Sequence, residues 1–286
     1  MKDIKRRIKS VESTKQITNA MQLVASSKLR KAKEKADNAR PFFNALYDTM
    51  CEIQSENQNF FSAFTAKKTE IKTTLLIVIA GDRGLAGGFN GNVLKLAQAR
   101  INELEANSSV VKILAIGKKS YEYFAKRPYD LFDSYQNIGE TMKIHIASEI
   151  SKKIVDPYIN GEFDSVELFH TEYVSPLVQT ASTRKIFPID VEITKKEESY
   201  RELPIYEPSA ADVFNAIVPK YIAGIIFGAV VDSFASEQAA RRIAMENATD
   251  NADEMISGLS LIYNRARQAS ITQEITEIVS GSSAQE

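Results

Sequence analysis

The residues with the most obvious chemical potential are the glycines of Gly81-Asp-Arg-Gly-Leu-Ala-Gly-Gly-Phe-Asn-Gly91. They follow a β-branched apolar run and open a helical pattern, the place where backbone N–H groups cradle nucleotide phosphates. Their spacing is not G-x-G-x-x-G, and no Lys-Ser or Lys-Thr pair follows to complete a P-loop. After the next such run comes Gly117-Lys118-Lys119, without the acidic residue that holds an NAD ribose. The loop reads as a structural turn, with dinucleotide binding as the alternative.

Other chemistry finds less support. His145 and His170 are the only histidines, and neither has a Ser, Cys or second His at the spacing of a triad or metal site. Both read as surface or packed imidazoles. Cys51 is the only cysteine, which excludes an intrachain disulfide and a Cys-based zinc site and suits a reducing compartment. Glu197-Glu198 and the acids from Asp250 to Glu254 read as solvated faces. No catalytic, cofactor-binding or metal-binding residue is assigned.

The basic residues Lys2, Lys5, Arg6, Arg7, Lys9, Lys15, Lys28, Arg30, Lys31, Lys33, Lys35 and Arg40 outnumber Asp3, Glu12, Glu34 and Asp37. Part of that excess is the solvated face of a coiled coil. No aromatic residue precedes Phe42, so nucleic acid would find no stacking platform. An acidic protein surface is the partner that fits.

These residues lie on long periodic elements. Ile4, Ile8, Val11, Lys15, Thr18, Gln22, Ala25, Leu29, Ala32, Ala36, Ala39, Phe43, Leu46, Met50 and Ile53 repeat with four-three spacing. That seam predicts a helix of about 50 residues, roughly 75 Å long at 1.5 Å per residue. Pro41 should kink it rather than stop it. Lys15, Thr18 and Gln22 put polar groups in the seam, where they pair across the coil or mark a place where it parts.

Near the other end the spacing returns at Met245, Ala248, Ala252, Met255, Leu259, Ile262, Ala266, Ala269, Gln273 and Thr276, with Gly281 read as the stop. Neither helix alone shields its apolar seam, so the two should pack, most simply antiparallel around an inserted domain. Between them Thr73 to Ala80, Val110 to Gly117 and Val166 to Tyr173 read as strands. Asn92 to Ala106, Lys119 to Ala125 and Thr141 to Tyr158 read as helices, so a parallel sheet is expected.

The expected fold is therefore α/β, with long N- and C-terminal helices forming an antiparallel coiled coil and an inserted Rossmann-like domain. Residues 1–57 form the N-terminal coiled-coil helix, 70–195 the α/β domain and 208–281 the C-terminal coiled-coil helix. The joints run from Gln54 to Lys72 and from Lys195 to Pro208. Composition is that of a globular protein: 286 residues, 44% hydrophobic, 26% charged, net charge −1. The apolar runs near Leu75 to Ala80 and Ile222 to Val231 are short of a membrane span. The opening Met1-Lys-Asp-Ile-Lys-Arg-Arg lacks the pattern of a signal peptide.

Three stretches carry a resemblance: Thr18-Asn-Ala-Met-Gln-Leu-Val-Ala-Ser-Ser-Lys-Leu-Arg-Lys-Ala32, Asp82-Arg-Gly-Leu-Ala-Gly-Gly-Phe-Asn90, and Ala244-Met-Glu-Asn-Ala-Thr-Asp-Asn-Ala252 with the segment from Tyr263 to Gly281. Together they resemble the γ subunit of the F-type ATP synthase, of bacterial type, over essentially the whole chain. The resemblance implies a non-catalytic central rotor that uses no cofactor. Its partners would be the α and β subunits, the ε subunit and the c-ring, with membrane association only through the complex, at the cytoplasmic face of the bacterial inner membrane.

It further implies that Met21 lies near an acidic β-subunit lever, and that Arg241, Gln268, Thr272 and Glu274 touch a β catch loop. Ala86 stands where many members have Cys, and a chloroplast-type insertion with its cysteine pair is absent, so thiol control is not expected. The alternatives are a Rossmann-like dinucleotide-binding protein with helical oligomerisation arms and a nucleic-acid-binding coiled coil.

Overall fold

A computed structural model describes residues 1–56, 62–66, 70–190 and 206–283. Of the two joints expected from sequence, Lys195 to Pro208 lies largely outside these residues and Gln54 to Lys72 in part. Ten elements follow in order: α1 (Lys2–Glu56), β1 (Thr73–Ile79), α2 (Phe89–Ala106), β2 (Val110–Ile116), α3 (Lys118–Phe124), β3 (Asp130–Tyr135), α4 (Ile144–Ile159), β4 (Ser165–Tyr173), β5 (Gln179–Phe187) and α5 (Ala210–Ser283). Two compact units result, Met1–Ser26 with Arg241–Glu286, and Ser27–Ala240; α1 and α5 contribute to both.

The Ser27–Ala240 unit is built on a five-stranded sheet of order β3-β2-β1-β4-β5. β1, β2, β3 and β4 are mutually parallel, and β5 runs antiparallel beside β4. β1 reads TTLLIVI because both its faces are covered. Leu75, Ile77 and Ile79 meet α4 and α5, while Leu76 and Val78 face α2 and α3. α2 presents Val93, Ala97, Ile101 and Leu104, spaced four, four and three residues apart on one helical face.

The sequence reading missed β3 and β5, the two edges. β3 (DLFDSY) has no fully buried residue, and β5 (QTASTRKIF) buries only its last two, so neither carries an apolar run.

α5 is long and apolar enough to cross a membrane by length and composition, contrary to the expectation from sequence. Its apolar stretch is the core helix of the sheet unit instead: Phe214, Val218, Ile222 and Ile226 are fully buried there. The helix continues through Pro219, Gly224 and Gly228, and through Gly281 rather than stopping at it. α1 likewise continues through Pro41.

Within this unit α1 and α5 run antiparallel. Leu29 and Ala32 share a cluster with Ala235 and Ala239. Phe43 packs on Phe227, with ring centroids 6.1 Å apart, and Tyr47 stacks on Tyr221 at 5.6 Å.

In the Met1–Ser26, Arg241–Glu286 unit the pairing is set by polar groups. Lys15 Nζ lies 2.5 Å from Asp253 Oδ1, and the Thr18 and Thr249 hydroxyls are 2.7 Å apart. Residue numbers rise along one helix as they fall along the other, so the pair is antiparallel. The numbers of each polar pair add to 267 or 268, which sets the first residues of α1 opposite residues near 266. The last turns of α5 therefore run past the start of α1, and every residue from Ile271 to Ser280 is exposed.

Candidate functional site

The sheet order changes direction between β1 and β4, the position where open α/β sheets bind ligands beyond their carboxyl ends. The glycine loop lies past the carboxyl ends of β1 and β2, and the space there, walled by α5, is closed. Its free volume is about 10 Å³, room for a single water molecule at most. A Cβ added at Gly81 would come within 2.9 Å of Glu237 Cδ, so a glutamate from α5 stands where the loop would admit a phosphate.

The loop's polar groups are also committed. Gly81 N–H donates to Asn90 Oδ1 at 2.8 Å, and Asn90 Nδ2 donates to the Arg83 carbonyl at 3.1 Å. Asp82 Oδ1 accepts from the amides of Lys118 and Asn137, both at 2.9 Å. A carboxylate thus takes the first amide of α3, the kind of group a phosphate would seek. Leu85 (φ +61°) and Gly87 (φ +54°) form the left-handed tip. This geometry supports the turn reading and does not favour dinucleotide binding at this loop.

His145 is exposed on α4. His170 is buried on β4, and burial lowers its pKa from the ordinary imidazole value. Among the described residues no three His, Cys, Asp or Glu side chains are grouped to hold a metal.

The helix pair proves the more distinctive feature. All fifteen seam positions of α1 are buried or half-buried, and none is exposed. Ala25, at 1% exposed, lets the backbones approach closely. Of the polar groups in the seam, Lys15 and Thr18 pair across the helices rather than part them. Thr18 donates to the Lys15 carbonyl or to Thr249, and Thr249 has the Met245 carbonyl as its other acceptor. Lys15 reaches Asp253 at the rim.

On α5 the seam departs from the sequence reading. Ala252, Leu259 and Ala266 are inward as expected, but Met255, Ile262 and Ala269 are exposed, while Ile256, Tyr263 and Ser270 turn inward. Both registers share every seventh residue, and side-chain hydrophobicity alone selected the wrong neighbour. Gln273 and Thr276 are exposed beyond the pairing.

Of the residues expected to contact partners, Met21 is half-buried on α1 among exposed Ile17, Leu23 and Val24. Gln268, Thr272 and Glu274 are exposed near the tip of α5. Thr272 donates to the Gln268 carbonyl at 2.9 Å, which puts those two on one face, while Glu274 lies about 120–160° away round the helix. Arg241 is only 8% exposed, held largely within its own chain. Sequence reasoning missed the apolar row Ile271, Ile275, Ile278 and Val279, each roughly half or more exposed. Its four-three-one spacing was legible as a helix face, but not that the partner helix ends before it.

A family model described as ATP synthase matches residues 1–285. The ATP synthase gamma chain of Ruminococcus albus is 54% identical over 282 residues, 99% of this chain and 97% of that one. This chain belongs to the ATP synthase gamma-chain family. A gamma chain from Acetobacterium woodii, described as sodium ion specific, is 41% identical and covers 99% of this chain and 98% of its own length. In fold, the gamma chain is similar to a chain of the Tetrahymena thermophila mitochondrial ATP synthase central stalk and c-ring structure. The TM-score is 0.60 at 24% identity, over 81% of this chain and 99% of that one. It is also similar to a chain of the Euglena gracilis mitochondrial rotor, with a TM-score of 0.62 at 15% identity, over 94% and 98%. As a gamma chain it is a non-catalytic subunit of ATP synthase, a rotor component rather than an enzyme in itself.

Proposed function

We propose that this gamma chain is the central rotor of an F1Fo ATP synthase, coupling ion-driven rotation of a c-ring to conformational change in the catalytic β subunits. The observation that carries the mechanism is the antiparallel pairing of α1 and α5, with an exposed, apolar end of α5 running past the start of α1. A helix pair is stiffer than one helix, and its two sides differ. Met21, Ile17 and Val24 lie on one helix, and polar Gln268 and Thr272 on the other. Each β subunit then meets a different side, and rotation changes which β conformation has the more favourable contacts.

In this reading Met21 and its exposed apolar neighbours meet the β lever, whose acidic loop complements the basic face of α1. Gln268, Thr272 and Glu274 meet the catch loop, with Arg241 reaching it by its exposed edge. The exposed row from Ile271 to Val279 is an apolar end that a surrounding ring of α and β subunits would cover. The sheet unit joins the ε subunit and the c-ring, driven by proton or sodium flow. The chain then resides peripherally at the cytoplasmic face of the bacterial inner membrane.

The test is co-purification with α and β subunits, followed by truncation of α5 after Ala269. The full chain should yield a complex whose ATP hydrolysis drives ion transport. The truncated chain should yield one that loses coupling. Full coupling after truncation, or no association with α and β, would refute the proposal.

A further inference from the structure

The Ser27–Ala240 unit contains a cavity that the rotor reading does not use. It lies between β4, β5, α1 and α5 and measures about 450 Å³, within the size range of small-molecule sites. Its walls hold charges of both signs that, among the described residues, do not pair with each other. Arg184 makes its polar contact with the Tyr221 hydroxyl at 3.4 Å, and Arg40 pairs with Asp37 at 3.8 Å. Glu172 lies 3.8 Å from His170 Nε2. Asp232 has neither an ion pair nor a hydrogen bond among the described residues, although the charge of Arg40 acts on it through space.

His170 and Tyr173 stand in the wall of the same space. His170 is 7% exposed, and its Nδ1 and the Tyr173 hydroxyl are buried in the wall, without a hydrogen-bond partner among the described residues. Gly228 belongs to the same wall. An added Cβ would meet nothing within 4 Å, so packing against protein does not require glycine there. Its lack of a side chain keeps the space open.

We infer that this cavity binds a small zwitterion with an apolar body, of the aromatic amino-acid type. Arg40 and Arg184 take its carboxylate, Asp232 and Glu172 take its ammonium group, and Phe43 and Tyr221 pack its side chain. His170, kept neutral by burial, offers one ring nitrogen as donor or acceptor. Opposite charges held beyond ion-pair distance across a cavity suit a ligand carrying both charges better than one carrying either alone. Burial raises the Asp232 pKa, Arg40 opposes that, and Glu172 and Asp37 add to it. An ammonium group at Asp232 relieves the repulsion.

The chain's two histidines make a direct measurement possible. In the full-length chain carrying His145→Gln, the ring signals of His170 are the only imidazole resonances. They are followed by NMR while L-phenylalanine, 3-phenylpropionate or phenethylamine is added. Phenylalanine should give a saturable shift, and each half-molecule should bind at least about tenfold more weakly. Gly228→Leu should abolish the shift by filling the cavity, while Gly228→Ala should preserve it. Arg184→Gln, on the exposed edge strand, should weaken binding about tenfold without moving the urea midpoint, and stands in if Gly228→Leu does not fold. No saturable shift, equal binding of the half-molecules, or a shift that survives Gly228→Leu or Arg184→Gln unchanged would overturn the inference and leave the cavity to water.

Discussion

Replacing Gly224 and Gly228 by alanine, one at a time, separates packing from helix propensity at two positions one turn apart on α5. A Cβ at Gly224 would fall 2.1 Å from Phe43 Cδ1 and 2.5 Å from Cε1, well inside contact distance. Phe43 has little freedom to retreat, because its ring rests against Phe227 and Phe42, with centroids 6.1 and 5.4 Å away. At Gly228 the added methyl meets nothing within 4 Å. Alanine is favoured over glycine in a helix interior by about 0.8–1.0 kcal/mol, and that gain is common to both sites.

The overpacking cost of about 1–3 kcal/mol falls on Gly224 alone. Gly228→Ala should therefore stabilise the chain by about 1 kcal/mol, and Gly224→Ala should lie about 1–3 kcal/mol below it. Urea unfolding of the full chain, followed by far-UV circular dichroism, reads this as midpoints moving apart. If the two variants shift together within about 0.5 kcal/mol, the close approach of α1 and α5 at Phe43 is not a constraint and the packing argument fails.

Three further outcomes follow from named contacts. Leu259→Asp should loosen the helix pair by about 1 kcal/mol or more, whereas Ile262→Asp, at a site already 52% exposed, should change it by under about 0.5; amide exchange in the first turns of α1 reports both. Arg100 binds Glu167 through Nε at 3.0 Å and Nη2 at 2.8 Å, and the Glu167 side chain is only 12% exposed. Arg100→Met should thus cost about 1–3 kcal/mol in urea unfolding, and adding Glu167→Met should recover part of the loss.

His170 contributes a pH dependence. Burial holds its folded pKa below 6.5, aided by Arg184 and opposed by Glu172, so the unfolded chain binds the proton first. The stability from neutral His170 is present above the unfolded pKa and is lost as pH falls from about 6.5 through the folded value. Asp232, whose pKa is raised by burial, works in the opposite sense, because the folded chain takes up its proton first. A His170→Phe variant should lose stability less steeply than the parent between pH 7 and 5. An unchanged slope in unfolding midpoints would exclude His170 as its source.

Much of this architecture was legible because it rests on periodic burial. The α1 seam, the strands β1, β2 and β4 and the helices between them each carry an apolar repeat matching their geometry. Edge strands β3 and β5 do not, since an edge buries one side at most and tolerates polar residues. The failure on α5 is more instructive. Met255 and Ile262 are as hydrophobic as the Ile256 and Tyr263 that turn inward, and local sequence contains no information about which side the partner helix approaches.

The composition of Gly81–Gly91 likewise establishes a turn after a strand, and the absence of a phosphate-binding pattern argues against a nucleotide. What closes the question is Glu237, brought from 156 positions away in the chain to stand against Gly81. Seam polarity at Lys15 and Thr18 left pairing and parting equally open until Asp253 and Thr249 were found across from them. Sequence by itself determined two long terminal helices, a parallel sheet between them and, through resemblance, the family. Tertiary structure alone decided the register of the helix pair, the plugging of the space beside the glycine loop and the exposure of the end of α5. Periodicity is a local property of one helix or strand, whereas register, occlusion and exposure depend on which distant surfaces meet.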